Sequence, residues 1–519
     1  MTSIGSEPSV STISSGNGHS PTGTTTVVNP ATGQAIGEVP SLDREATLQL
    51  VRRARAAQPA WEALGFDGRR DLLRDMRKWV VDSRKRVIQT LSDENGKTYE
   101  DAQLEILYCC DALGFWAKRA AKWLADEKER PHLPLLFGRK VINRYVPHGV
   151  VGVIGPWNYP LINNFGDAIP ALMAGNSVVL KPASITPMSS LLMAEGMREV
   201  GVPDGAFLVA TGPGGTIGGA LVESVDMLHF TGSTEVGRGL MEQAAKRLLP
   251  VTLELGGKDP MIVLRDANLE RAANAAVWGA LQNAGQTCIS VQRVYVEGDA
   301  YEPFVAKVVD KVNKLRHGAP GSPGSVEIGA MTSPEQVDLV EEHVRDAVEN
   351  GARVETGGKR GAGPGNFFEP TVLTNVDHSM RIMREETFGP TLPIMRVANE
   401  DEALRLANDS TMGLDSSVFA GDTAHGEQVA RRVQSGAVVV NDALTNYLAM
   451  EIPIGGIKES GVGARHGKSG IQKYCRRQNL VVTRFGANRE LYYFPYSKLV
   501  SKLTDRLIVT LFGRGRGKH

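Results

Sequence analysis

Two residues in this sequence stand where covalent chemistry could be done: Glu254 in Val251-Thr-Leu-Glu-Leu-Gly-Gly-Lys258 and Cys288 in Asn283-Ala-Gly-Gln-Thr-Cys288. A thiolate can attack a carbonyl carbon and hold an acyl group, and a carboxylate can activate water to release it. The spacing says how each would be presented. Val251 to Leu255 alternates like a strand, and the glycines behind it end the pairing and leave Glu254 beside a loop with little side-chain bulk. From Leu269 to Gln282 the apolar residues recur at helical spacing, and Gly285 stops the helix so that Cys288 lies on the turn beyond it.

The elements that must position these residues follow a strand and helix rhythm. Val150 to Ile154, Ser177 to Leu180, Phe207 to Ala210, Met227 to Phe230 and Val251 to Leu255 are short apolar runs between helical stretches, the pattern of a parallel sheet covered on both faces. Such sheets bind ligands beyond the carboxyl ends of their strands. A second α/β unit is predicted from near Met261 to about Asp442, carrying Cys288. Gly232 and Gly237 bracket four residues as a P-loop would, but Arg238 and Gly239 follow where Lys and Ser or Thr should stand, which excludes an NTPase. The usual Gly-x-Gly-x-x-Gly fingerprint is absent from the strand ends.

Glu-Leu-Gly-Gly-Lys258 and Gly-Gln-Thr-Cys288, with Pro156-Trp-Asn-Tyr-Pro160 upstream and Glu385-Glu-Thr-Phe-Gly-Pro390 downstream, resemble the aldehyde dehydrogenase superfamily from about Val27 to about Val482. The resemblance implies an α/β fold: a Rossmann-like dinucleotide-binding domain (27–127 and 148–260), a second α/β catalytic domain (261–471) and a β oligomerisation arm (128–147 and 472–495). It implies oxidation of an aldehyde to an acid with NAD(P), by a homodimer or homotetramer. Cys288 would be the nucleophile, its pKa lowered by cofactor charge or backbone donors, Glu254 the base, and Asn158 with the Cys288 amide the oxyanion donors. Nothing in this scheme calls for a metal. The cofactor residues it implies are Pro156, Trp157, Lys181, Ser184, Gly212, Phe230, Thr231, Gly232, Ser233, Val236, Leu255, Gly256, Glu386 and Phe388. Ser184 stands where a Glu would repel a 2′-phosphate, and Lys181 is near, so NADP is expected ahead of NAD.

For the substrate, Phe115, Trp116, Ile289 and the loop Leu444 to Ile454 suggest an apolar tunnel for medium-chain, long-chain or aromatic aldehydes, and Ile454, where many members of the superfamily have Phe, is expected to widen its mouth. Lys-Pro-Ala-Ser184 and Gly-Gln-Thr-Cys288 are similar instead to succinate-semialdehyde dehydrogenases, whose substrate is anionic; Arg119 or Lys118 could meet that charge. Rival functions are a CoA-acylating dehydrogenase, which would not need Glu254, and a non-catalytic binding protein of the same fold. Where some relatives carry an additional carboxylate, this sequence has Arg465, leaving Glu254 as sole base.

Composition bounds these readings. At 519 residues the chain exceeds one ordinary core. Lys plus Arg equals Asp plus Glu at 58 each, so no global charge attracts nucleic acid. Four Cys, two of them the neighbours Cys109 and Cys110, make no disulfide framework and point to a reducing compartment. Residues 1–26 are Ser, Thr, Gly and Pro rich, without an apolar run or basic residue, and read as a disordered tail that is neither secretory signal nor transit peptide, so the cytoplasm is expected. Residues 496–519 differ: Leu499, Leu503, Leu507 and Leu511 form a stripe, and Lys498, Lys502, Arg506, Arg514, Arg516 and Lys518 make the rest basic. This tail would dock on the subunit, on a neighbour, or on a membrane surface.

Overall fold

The computed structural model describes residues 23–133, 136–486, 488–490 and 492–513. Residues 1–22 of the expected tail, and Arg514, Arg516 and Lys518, lie outside the described residues. The tail boundary at 26 needs correction: Gly23–Val28 is a strand paired antiparallel with Ala35–Ser41, Thr25 opposite Val39. A run of Thr and Val suits a pleated strand once a partner is present, and the partner lies beyond the local composition that suggested disorder.

The chain forms two compact units, one of 1–124 with 147–476 and one of 125–146 with 477–519. In the first, two sheets share the work. The first has the order Gly461–Val462, Val251–Glu254, Met227–Thr231, Val150–Ile154, Ser177–Lys181, Phe207–Val209. All its pairings are parallel except that of Gly461–Val462, whose Gly461 lies opposite Glu254. Val150–Ile154 and Ser177–Lys181 are buried along their whole length, as uninterrupted apolar strands must be when helices cover both faces. The five expected strands are present with ends shifted by a residue at most.

The second sheet runs Arg353–Thr356, Thr371–Thr374, Thr391–Val397, Val291–Glu297, Asp259–Val263, Ser417–Phe419, Val439–Val440, parallel but for its first pair. Its core gathers Ile262, Val294, Tyr295, Phe304, Ile394 and Phe419. Both sheets fall in one compact unit, and the edge strand Gly461–Val462, expected with the catalytic half, completes the first sheet instead. That crossing brings the segment around Arg465 to the carboxyl end of the first sheet. The short edge strands were not read from the sequence, because two or four residues carry too little periodicity.

In the second unit the strands Glu127–Glu129, Arg139–Pro147 and Cys475–Thr483 form a sheet with Arg139–Pro147 in the middle. Arg139 pairs with Glu490 at 2.8 Å. The helix Lys498–Phe512, capped by Ser497, buries none of its residues. No helix of the described residues is long and apolar enough to cross a membrane.

Candidate active site

Cys288 is placed by a strained turn. The helix Leu269–Leu281, capped by Asn268, gives way to a 3-10 turn over Gln282–Gly285 in which Asn283 and Ala284 have φ of 52° and 53°. Gly285 follows at φ +72°, and a Cβ there would lie 2.1 Å from the carbonyl oxygen of Gly389. Only glycine fits, so the stop read from the sequence is steric as well as conformational. Three consecutive left-handed residues are costly and persist only where the surroundings hold them. Here Asn283 Nδ2 donates to the Asn158 carbonyl at 3.0 Å, and the Tyr159 hydroxyl meets Thr287 Oγ1 at 2.9 Å.

Asn158 follows the strand Val150–Ile154 and is buried. Its side-chain amide donates to the Gln286 carbonyl at 2.8 Å, and its own carbonyl accepts from Lys97 Nζ at 2.9 Å. Lys97 in turn pairs with Glu105 at 2.5 Å, both side chains fully buried, and Glu105 accepts from the amides of Leu161 and Ile162. This pair ties two helices to the loop carrying Asn158. Loss of either partner would leave a buried unpaired charge, typically a cost of about 3–5 kcal/mol.

Glu254 ends its strand, buried, with Oε1 lacking any hydrogen-bond partner among the described residues. Opposite it in register is Thr231, whose Oγ1 accepts from Arg465 Nη2 at 2.8 Å. Arg465 also bonds Asp167 at 2.9 Å, Asn163 at 3.1 Å and the Tyr447 hydroxyl at 3.0 Å. Asn163 lies in a π-helical turn, Leu161–Phe165, a distortion frequent at functional sites.

Three cavities meet at Cys288. A cleft of ≈ 280 Å³ is walled by Pro156, Trp157, Asn158, Thr231, Gly232, Ser233, Glu254, Leu255, Gly256, Glu386 and Phe388. A narrow pocket of ≈ 70 Å³ is walled by Tyr108, Tyr159, Ile162, Trp278, Ile289 and Leu448 among others, without Lys, Arg, His, Asp or Glu. A void of ≈ 10 Å³ is lined by Glu254, Tyr447, Ile454 and Arg465. A partly exposed thiol thus stands between a polar cleft and an apolar pocket, with a carboxylate and a primary amide on the cleft wall. Such a set can carry out acyl transfer to water.

The sequence profile of the aldehyde dehydrogenase family matches residues 18–480. The chain belongs to the aldehyde dehydrogenase family. It is an NAD(P)-dependent oxidoreductase of that family, and its fold is the family's fold. It is 39% identical over 455 residues to an Escherichia coli K12 protein named succinate-semialdehyde dehydrogenase [NADP(+)], covering 86% of this chain and 92% of that one. A solved succinate-semialdehyde dehydrogenase from Burkholderia pseudomallei superposes with a TM-score of 0.86 at 35% identity, covering 89% and 95% of the two chains. A lactaldehyde dehydrogenase from Escherichia coli does so at 0.85 and 33%, covering 89% and 96%.

In this aldehyde dehydrogenase the expected site residues divide into groups. Cys288, Glu254, Asn158, Pro156, Trp157, Thr231, Gly232, Ser233, Leu255, Gly256, Glu386 and Phe388 share the cleft. Phe388, at φ 53°, packs edge-on to Trp157 at 5.3 Å, and Glu386 accepts from the Gly257 amide at 3.2 Å. Ser233 caps the helix Thr234–Ala245; Phe230 lies beneath Gly232, and Val236 is exposed on the first turn. Lys181, Ser184 and Gly212 stand at neighbouring strand ends outside the cleft wall: Ser184 Oγ donates to the Gly212 carbonyl at 2.8 Å and Lys181 Nζ to Pro182 at 2.6 Å. Burial pulls the Lys181 ammonium down to about 8.

Three expectations need correction. Phe115, Trp116 and Arg119 do not line the substrate pocket: Phe115 packs against Trp116 and Trp123, with Arg119 over its ring. The same helix, Tyr99–Trp123, instead presents Leu104 and Tyr108, earlier along its length. Ile454 lines the small inner void, so it does not widen a mouth; Ile289 does line the pocket. The Cys288 thiol is not lowered. Burial pushes it up to about 12; Arg465 pulls against this, and Asp259, Glu386 and Glu254 add to it. Burial likewise raises Glu254 above the usual carboxylate value, against Arg465 and Lys473, and takes Glu386 to about 7.

Proposed function

We propose that this enzyme oxidises an aldehyde to its carboxylic acid through a thioester on Cys288, with NADP ahead of NAD. The observation that carries the reading is the place of Cys288 between the apolar pocket and the cleft that Glu254 and Asn158 wall. The cleft fits the nicotinamide end of a dinucleotide. A Cβ on Gly256 would lie 2.2 Å from Glu386, and one on Gly232 2.5 Å from the Phe230 ring, so backbone is bared beside a capped helix N-terminus suited to phosphate. Ser184 and Lys181, with no acidic group between them, support NADP, and the Escherichia coli relative carries NADP(+) in its name.

The sulfur of Cys288 bonds to the aldehyde carbon after losing its proton, and the resulting oxyanion is held by Asn158 Nδ2 and the Cys288 amide. A thiol near 12 is protonated at neutral pH, so its proton needs an acceptor, and Glu254 on the same wall supplies one. Bound nicotinamide supplies the hydride acceptor. The carbon left on Cys288 is then a thioester. Glu254 gives up the thiol's proton to solvent and takes one from water, the oxygen bonds to the acyl carbon, and the thiolate leaves with release of the acid.

Two observations bear on the aldehyde's tail. The names of the relatives favour succinate semialdehyde, and they support it better than they support an apolar substrate. The pocket favours an apolar tail: its wall offers no cation, and Arg465 behind it is already bound to Asp167. On geometry we place an unbranched apolar aldehyde there. Measuring kcat/KM for succinate semialdehyde, hexanal and benzaldehyde with both cofactors decides it: hexanal with NADP should lead, and a lead for succinate semialdehyde would return the assignment to the relatives' substrate. The domain division of the sequence reading, a homodimer or homotetramer built through the three-stranded sheet, and contact of the tail helix with an anionic membrane surface are parts of the same proposal; the exposed Leu499, Leu503 and Leu507 beside Lys498, Lys502 and Arg506 support the last.

A further inference from the structure

Arg465 is a buried cation with four side-chain partners and takes no part in the mechanism above. Its backbone is fixed from both sides by Ile454, N–H to carbonyl at 2.8 and 2.9 Å. Its guanidinium, buried, is held by Asp167, Thr231, Asn163 and Tyr447. Those acceptors come from three separate stretches of chain, Asn163 and Asp167 sharing one, so the group has no freedom to turn away. It lines one small void with Cys288 and Glu254, and the strand residue it grips, Thr231, is the register partner of Glu254.

We propose that Arg465 is a positioning residue whose fixed positive charge lets Cys288 and Glu254 hold negative charge in a buried site. This rests on the reading of those two as nucleophile and base. The argument is a charge inventory of every group facing them. Arg465 cannot lose its proton in a protein interior. Lys473, reaching His229 at 3.3 Å, is taken down to about 8 by burial and is cationic at neutral pH. Burial raises the Asp167 carboxyl, but Arg465 and His229, the latter at 3.0 Å, outweigh it and hold it well below the usual range. Burial keeps His229 at about 4 and His466 at about 3, both neutral, and keeps Tyr108, Tyr159, Tyr447 and Tyr474 protonated. On the far side of the thiol, burial pushes Asp259 well above the carboxylate range and Glu386 to about 7.

Around Glu254, therefore, two cations, Arg465 and Lys473, stand against one fixed anion, Asp167. One positive charge is left over, enough for one more anion. Glu254 carries it while Cys288 is a thiol or a thioester, and the sulfur carries it when Glu254 holds the thiol's proton. The negative charge can then pass between the two without an uncompensated charge arising in the interior. Of the charges that act on Cys288, Arg465 is the one that favours the thiolate, against Asp259, Glu386 and Glu254.

The test is the rate of Cys288 alkylation by iodoacetamide at one neutral pH, where the rate follows the thiolate fraction, read on the full enzyme by peptide mass spectrometry, with Cys288→Ala as background. Arg465→Met is expected to slow alkylation by about 10- to 10³-fold, the effect of losing one close opposite charge; Arg465→Lys is expected to restore most of it. Should Arg465→Met fail to fold, Arg465→Gln, which keeps a hydrogen-bonding side chain and loses only the charge, is expected to show the same slowing. An unchanged rate in either folded variant, or a lysine that restores nothing, overturns the inference while leaving the nucleophile assignment intact. A Cys288→Ala enzyme with full turnover overturns the assignment on which it rests, and the inference with it.

Discussion

Asn158→Ala isolates one hydrogen-bond donor. The peptide at 158 stays in place without the side chain, because its carbonyl is held by Lys97 at 2.9 Å and Asn283 at 3.0 Å. Two things are lost. The oxyanion loses its side-chain donor, worth about 2.7–4 kcal/mol in the barrier, or about 10² to 10³ in kcat. The Gln286 carbonyl loses a 2.8 Å bond but keeps a 3.3 Å one from Asn283, so the stability cost should fall at the low end of about 1–3 kcal/mol. Asn158 is not among the residues expected to hold the cofactor. Stopped-flow NADPH formation should therefore slow by that factor, while NADP titration by fluorescence quenching gives an unchanged Kd. A variant with near-parental kcat, or one that loses rate only through weaker NADP binding, refutes the role given to this amide.

Other consequences can be measured on the same preparation. Ser184→Glu removes the donor to Gly212 and sets an anion beside the strand ends, so kcat/KM for NADP should fall by about tenfold or more relative to that for NAD; an unchanged ratio places the 2′-phosphate elsewhere. The base must be ionised to work and burial raises Glu254, so kcat should climb with pH through a value above the ordinary Glu of about 4.3; an acid limb below that value contradicts the electrostatics described. Deleting residues 497–519 should abolish co-sedimentation with anionic vesicles and leave kcat/KM for propanal unchanged; retained binding would locate any membrane contact outside the helix Lys498–Phe512.

What could be read from the sequence was whatever local chemistry decides. The strand Val150–Ile154 is legible because a sheet covered on both faces needs an uninterrupted apolar run, and the turn at Cys288 because Gly285 alone fits against Gly389. Glu254 at a strand end before two glycines reads the same way. What failed was decided by residues far apart. An Arg in a Gly-rich loop carries no local sign of its partners; only assembly brings Asn163, Asp167, Thr231 and Tyr447 around Arg465. Periodicity finds the apolar face of Tyr99–Trp123 but cannot say which turns of a 25-residue helix meet the pocket; the turns that do carry Leu104 and Tyr108, not Phe115 and Trp116. The Cys288 pKa is out of reach of the sequence for a similar reason, since desolvation depends on the whole surrounding interior.

The central claim is that the acyl group passes through Cys288 and leaves by the action of Glu254. Glu254→Gln mixed with hexanal and NADP, quenched and digested, tests it by mass spectrometry. The account predicts NADPH formation that is slowed by loss of the thiol's proton acceptor and stops at about one equivalent per active site, with a hexanoyl adduct on the peptide bearing Cys288. Undiminished turnover, or an adduct on Cys110 with Cys288 unmodified, contradicts it.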